Sequence, residues 1–216
     1  MNADKARYLA ENMDVISKTD RIWLNNPVIM QGLGLAPLVV AATTGRNAWI
    51  LALAVLMLLT PTRVIGALLG AKLPRRFSIW YYAGTACLLY IPVYLLLLEL
   101  FGVELRQVGI YLPLLAADML IIRRYTYEKP EKLGRALRRG AATTVGYALV
   151  LMLTGLLREL LALGSLFGEE LLPAGLFPLA SQPAGGFVLL GVVCAAWRSC
   201  IRLYKKHVNM EAKRGL

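Results

Sequence analysis

The chain is short of charge. Charged residues make up 17% of its 216 residues, where a soluble domain carries roughly 25%. Too few polar side chains remain to clothe a water-facing surface, so a soluble globular domain is excluded. Acidic residues are scarcer still: 13 Asp and Glu stand against 24 Lys and Arg, a net +11. Cysteine is down to three, an odd number, all in or near apolar stretches, which excludes a disulfide framework. No CxxC or other ligand spacing occurs, and His207 is the single histidine, set in a basic tail. No glycine-rich nucleotide loop follows a strand, and no catalytic constellation is visible. The first 26 residues lack the short apolar core and small-residue cleavage site of a signal peptide.

What the chain has in excess is apolar length. Hydrophobic residues reach 58%, and mean hydropathy is +0.59. Six apolar stretches are read at 27–44, 47–71, 77–101, 108–123, 137–163 and 184–204, each near the ~20 residues that a span needs. The expected fold is an all-α integral membrane protein: a polar segment 1–26, six transmembrane helices over 27–204 and a basic tail 205–216. In the polar segment Leu9, Met13 and Ile16 recur at helical spacing, which fits a short interfacial helix; a solvated arm fits as well. Gly32, Gly34 and Pro37 interrupt the first stretch, Pro61 and Arg63 the second, Pro92 the third and Pro113 the fourth. Such breaks survive at membrane depth only where protein or a cavity satisfies the freed backbone groups.

The basic residues then orient the chain. With six crossings and the N-terminus inside, all of the 24 except Arg46, Arg63, Arg106 and Arg158 fall in inside segments. The long loop carrying Glu169 and Glu170 has none. That bias puts both termini in the cytoplasm. The charges are scattered beside apolar spans, so anionic lipid heads account for them better than nucleic acid does. Trp80, Tyr81, Tyr82 and Trp197 are expected as interfacial aromatics.

The chain also repeats itself. Shifted by 76 residues, Gln31 falls on Gln107, Pro37 on Pro113 and Leu38 on Leu114, within QGLGLAPLVVAAT and QVGIYLPLLAADM. Each copy opens a group of three stretches, so the second group enters from the opposite side. This is the arithmetic of an inverted 3+3 repeat with helices 1 and 4 broken; chance coincidence of two Pro-Leu pairs is the competing account.

At these residues the chain resembles the Rnf-Nqr family of membrane subunits. These are the E-type subunits of the Rnf ferredoxin–NAD⁺ oxidoreductase and the D-type subunits of the Na⁺-translocating NADH–quinone reductase (Nqr). NNPVIMQGLGLAPLVVA, VGIYLPLLAADMLI, TGLLRELLALGSLFG and QPAGGFVLLG carry the likeness, in order. Within these blocks Gln31, Gly34 and Pro37, then Gly109 and Pro113, then Arg158 and Glu159 match the family. The resemblance implies a six-helix subunit of a bacterial or archaeal cytoplasmic membrane, paired with a homologous subunit of opposite orientation. It also implies a two-iron cluster on the shared axis, with two cysteines from each partner, one per broken helix. Electron relay through the cluster is coupled to Na⁺ or H⁺ movement.

This sequence departs from that pattern where the ligands belong. Ala36 stands before Pro37 in place of the first cysteine, and Asp118-Met119 replaces an Asn-Cys pair. Ala36 has no donor atom, and a neutral thioether is an unusual ligand for such clusters. The expectation is therefore loss of the 2Fe–2S cluster, leaving a scaffold or ion-path subunit. A repurposed paralogue that handles a small solute or ion without redox chemistry is the rival reading. Cys87, Cys194 and Cys200 are read as packing residues. Asp118, the one acidic residue near mid-span, is either an ion or partner site or a carboxylate paired with Arg123. Asp118→Asn is expected to alter ion coupling or partner binding; no change in either assay leaves only the structural role. The family's carboxylate near the start of the fifth helix is also missing, with Arg139 roughly in its place. Arg158 and Glu159, being adjacent on a helix, are expected to have separate partners and to fix the GSLFG loop.

Overall fold

The computed structural model describes residues 3–70, 74–116 and 133–214. Two short helices, α1 (Ala3–Glu11) and α2 (Met13–Thr19), lead into an irregular stretch that closes in a π-helical turn, Pro37–Ala41. There follow α3 (Gly45–Gly70), α4 (Ser78–Phe101), the single-turn α5 (Leu105–Val108) and α6 (Tyr111–Ala116). Beyond residue 132 come α7 (Leu133–Leu163), a minimal hairpin of β1 (Ser165–Leu166) and β2 (Glu169–Glu170), a 3-10 turn (Pro178–Ser181) and α8 (Pro183–Arg214). Among the described residues four helices, α3, α4, α7 and α8, are long and apolar enough to cross a membrane. The stretch 27–44 is not a continuous helix, and of 108–123 only the part up to Ala116 is described.

Two features differ from expectation. α3 and α4 run unbroken through Pro61 and Pro92. One residue on from Pro61, the hydroxyl of Thr62 donates back to the Leu58 carbonyl at 2.6 Å. The tail expected as a separate piece from 205 instead continues α8, because Trp197, Ile201 and Val208 keep one face buried and α1 packs along it. The fold is mainly helical as expected; in the one minimal hairpin described, Phe167 (φ 53°) and Gly168 (φ 87°) make the tight reversal between β1 and β2.

The heart of the molecule is α3 laid along α7, the most extensive helix pairing described. In lipid no hydrophobic force drives two apolar helices together, so close approach through small residues must do it. Gly155 lets α7 approach the start of α3; a Cβ there would stand 2.5 Å from that of Ala48 and 3.0 Å from the Thr44 carbonyl. Farther along, the hydroxyls of Thr60 and Thr144 bond across the pair at 3.0 Å. α4 lies outside this core: 11% of its most apolar window is buried, against 61% for α3.

The aromatic expectation divides. Trp80 is exposed, but Tyr82 is buried against Gly66 and Trp197 is buried against Trp23, ring centroids 4.4 Å apart. The Trp197 indole N–H donates to the Trp23 carbonyl at 3.1 Å, so this tryptophan ties the N-terminal turn to α8 rather than lying in an interfacial belt.

Candidate functional site at the broken-helix junction

Between Asn26 and Thr44 the backbone has few partners of its own, and neighbouring helices supply them. Asn26 is fully buried; its amide donates to the carbonyls of Gly146 (2.7 Å) and Ile22 (3.1 Å) and accepts from the N–H of Val28 (2.9 Å). Arg198 of α8 donates to the Ile29 carbonyl through Nη2 at 2.8 Å. Gly32 and Gly34 then turn the chain at φ +65° and +67°, values open to glycine. A side chain at Gly34 would also run into the ring of Tyr147, whose hydroxyl donates to the Gly34 carbonyl at 2.8 Å. Helix begins at Leu35 and loosens into the π-turn from Pro37.

The far end of this half-helix is held by one side chain. Arg158 of α7 is 1% exposed. Its Nη1 donates to the carbonyls of Val39 (2.6 Å), Ala42 (3.1 Å) and Leu38 (3.3 Å), which the π-turn leaves available. Its Nε and Nη2 donate to Ala180 (2.8 Å), Ser181 (3.1 Å) and Gln182 (3.4 Å) just before α8. Gly186 lies under the guanidinium, where a Cβ would come within 3.0 Å of Cζ. A cation at a helix C-terminus is favoured by the dipole, and the planar fork matches several carbonyls at once.

The next residue does the converse. Glu159 accepts the N–H of Gly45, the first residue of α3, at 2.7 Å through Oε2. Its Oε1 takes the Ser165 hydroxyl (3.2 Å) and the Gly168 N–H (2.8 Å), both in the GSLFG turn. Two adjacent residues thus clamp the reversal at 42–44, cation on the carbonyl end and carboxylate on the N–H end.

The second broken stretch is built likewise. α5 ends at Gly109 (φ +54°), and α6 begins at Tyr111, 76 residues after Leu35, the same interval that separates Pro113 from Pro37. α6 packs against the π-turn segment as well as α3 and α4, so the two short helices meet. Their meeting leaves Ala36 and Pro113 exposed while Pro37 is buried. Gln31, Gln107 and Gly109 are exposed too, and Gln31 Nε2 donates to Asn25 Oδ1 at 3.1 Å. Asp118 and Met119 lie outside the described residues.

As to ligands, Ala36 offers a methyl group at this junction, which does not fit a metal or cluster. Cys87 and Cys200 are exposed, Cys194 is partly so, and they stand on α4 and α8. Among the described residues no group of three or more His, Cys, Asp or Glu is gathered. Sequence reading misses Tyr147, Arg198 and Gly186, because a carbonyl acceptor leaves no mark in the sequence. It also leaves Arg63 unassigned. Arg63 and Arg158 are the two largest fully buried side chains, one on each helix of the central pair, 95 residues apart.

Residues 16–194 match the family described as "Rnf-Nqr subunit, membrane protein". The chain belongs to the Rnf-Nqr family. The E-type subunits of the ion-translocating oxidoreductase complex from Shewanella loihica and Pseudomonas paraeruginosa are 34% and 33% identical to it, over 191 and 198 residues. These cover 81% and 82% of this chain, and 82% and 80% of the relatives. The like-named Haemophilus influenzae (strain PittEE) protein is 30% identical over 190 residues, 81% of each chain. In this Rnf-Nqr chain the matched region contains both broken stretches and the Arg158–Glu159 clamp.

Proposed function

We propose that the chain is the membrane subunit, of E type, in an Rnf-like ion-translocating oxidoreductase complex. It pairs there with a homologous subunit of inverted topology. One observation carries the reading: across a region matched to the family, two short helices start 76 residues apart and meet, leaving the face around Ala36 and Pro113 open. An open face at the junction of two broken helices is where a partner would complete a site. Six crossings in a 3+3 repeat follow if the two broken stretches each count as one.

A cytoplasmic-membrane location with both termini inside is supported by the charge bias and by α1 packing along α8. The chain carries no redox centre of its own in this reading. With Ala36 and Met119 at the family's ligand positions, two partner thiolates fall short of the four that such clusters use. Its task is to brace the partner and to border an ion path for Na⁺ or H⁺, for which Asp118 is the candidate group by its place in the sequence.

The test is iron and acid-labile sulfide in the chain purified with its homologous partner alone. The native pair is expected to lack a two-iron visible spectrum, and Ala36→Cys with Met119→Cys to gain one. A stoichiometric two-iron signal in the native pair overturns the loss of the cluster. Failure to recover any homologous membrane protein with the native chain overturns its place in the complex and favours a separate, non-redox role.

A further inference from the structure

Charge disappears from the chain between Glu170 and Arg198: residues 171–197 hold no Asp, Glu, Lys, Arg or His. Helix α8 begins only at Pro183, so its uncharged part, 183–197, rises about 22 Å. That is roughly 8 Å short of the ~30 Å of a bilayer's hydrocarbon. The other uncharged residues precede the helix. Residues 171–179, LLPAGLFPL, carry no polar side chain, and all but Gly175 are exposed, Leu176 to 75%. Facing water, such a run would be an apolar patch in need of a cover.

Hydrogen bonds fix the depth of this segment. The Phe177 N–H donates to the Leu161 carbonyl at 2.7 Å, and the Ala180 carbonyl accepts from Arg158 Nε at 2.8 Å. The N–H groups of Leu171 and Leu172 both donate to the Gly164 carbonyl at 2.9 Å. The segment is therefore folded back beside residues 158–164 and does not stand above the end of α7. α8 starts level with Arg158, since Gly186 lies under the guanidinium. From that level α7 rises about 8 Å more to Leu163, which is the length that α8 lacks. Pro173, Pro178 and Pro183 have no N–H to satisfy, which suits backbone held away from water. Leu163 on α7, and Phe187 and Val188 on α8, are exposed too, so the helix ends flanking the segment are apolar outside. A deficit of span length is filled by whatever else is apolar at that depth, which selects lipid as the cover.

We propose that residues 171–179 lie in the bilayer, in the leaflet on the side away from the termini. Acyl chains cover Leu171, Leu176, Phe177 and Leu179. Glu169 and Glu170, paired with Leu166 and Ser165 just past α7, mark the headgroup level. The proposal rests on the chain spanning a membrane and not on the identity of its partner.

The experiment is spin-label accessibility of the full-length chain in phosphatidylcholine vesicles, with Cys87, Cys194 and Cys200 replaced by alanine. Single cysteines at Leu171→Cys, Leu176→Cys and Leu179→Cys report on the segment. Leu88→Cys on α4 and Lys206→Cys on α8, both at exposed positions, are the lipid and water references. At the three test sites, as at L88C, collision with oxygen should exceed collision with a polar nickel chelate at least about fivefold. At K206C the order should reverse. A cysteine that spoils the size-exclusion profile is dropped, since the other two read the same segment. Chelate access at the test sites equal to that at K206C places the segment in water and overturns the proposal. Access to neither reagent, in the chain alone or with its homologous partner added, makes protein the cover and overturns it as well. Failure to recover a partner, which removes the complex, leaves the accessibilities of the chain alone unchanged.

Discussion

Arg158→Ala is expected to remove most of the folded protein from the membrane fraction. The side chain is buried and donates to six carbonyls on two separate segments, the end of the first half-helix and the turn before α8. Alanine leaves those acceptors in a region without water and opens a space over Gly186. Hydrogen bonds to a charged group contribute about 1.5–3 kcal/mol each in favourable cases. Even with strong non-additivity, a loss of about 4 kcal/mol or more is expected, a large part of a typical total stability. Lysine should rescue little, because one ammonium has three protons and no planar fork to reach both segments. The measurement is the monodisperse peak in detergent size-exclusion chromatography together with its melting temperature. An alanine variant that melts within about 2 °C of the native chain would remove the clamp from the account of the fold.

How far such a clamp is legible beforehand depends on the kind of signal it leaves. Long apolar runs are read directly from composition, and the ends expected for the stretches that form α3 and α4 fall within two residues of those observed. Glycine and proline also speak plainly where the backbone must turn: Gly32, Gly34 and Gly109 all lie at positive φ. Proline inside a helix speaks less plainly. Pro61 and Pro92 look like interruptions in sequence, yet both helices run through them. Trp197 cannot be told from a belt tryptophan in sequence, because its partner, the Trp23 carbonyl, is backbone and 174 residues away. Arg158 and Glu159 stand out by family likeness, and helix geometry correctly gives them separate partners. What they hold is illegible for the same reason as Trp197: their acceptors and donors are mainly main-chain atoms of distant segments.

Glu159→Gln should also be strongly destabilising, though less so than Arg158→Ala. Each carboxylate oxygen faces a donor: Oε2 the Gly45 N–H, Oε1 the Ser165 hydroxyl and the Gly168 N–H. A carboxamide has one acceptor, so whichever way it turns its NH₂ meets another N–H. The start of α3 also loses the negative charge that its dipole favours. Together these should cost about 2–3 kcal/mol, read from unfolding of the purified chain by titration with dodecyl sulfate. The more telling measurement is the cycle with Arg158→Lys. Both side chains hold the reversal at 42–44, one through the Ala42 carbonyl and the other through the Gly45 N–H. Once either hold is gone the reversal is free to relax, and the second loss has less left to remove. The double variant is therefore expected to be more stable than the sum of the single losses predicts, by about 1 kcal/mol or more. Strict additivity would mean that the two residues act on independent parts of the structure, and that the reversal between the half-helix and α3 is held by something else.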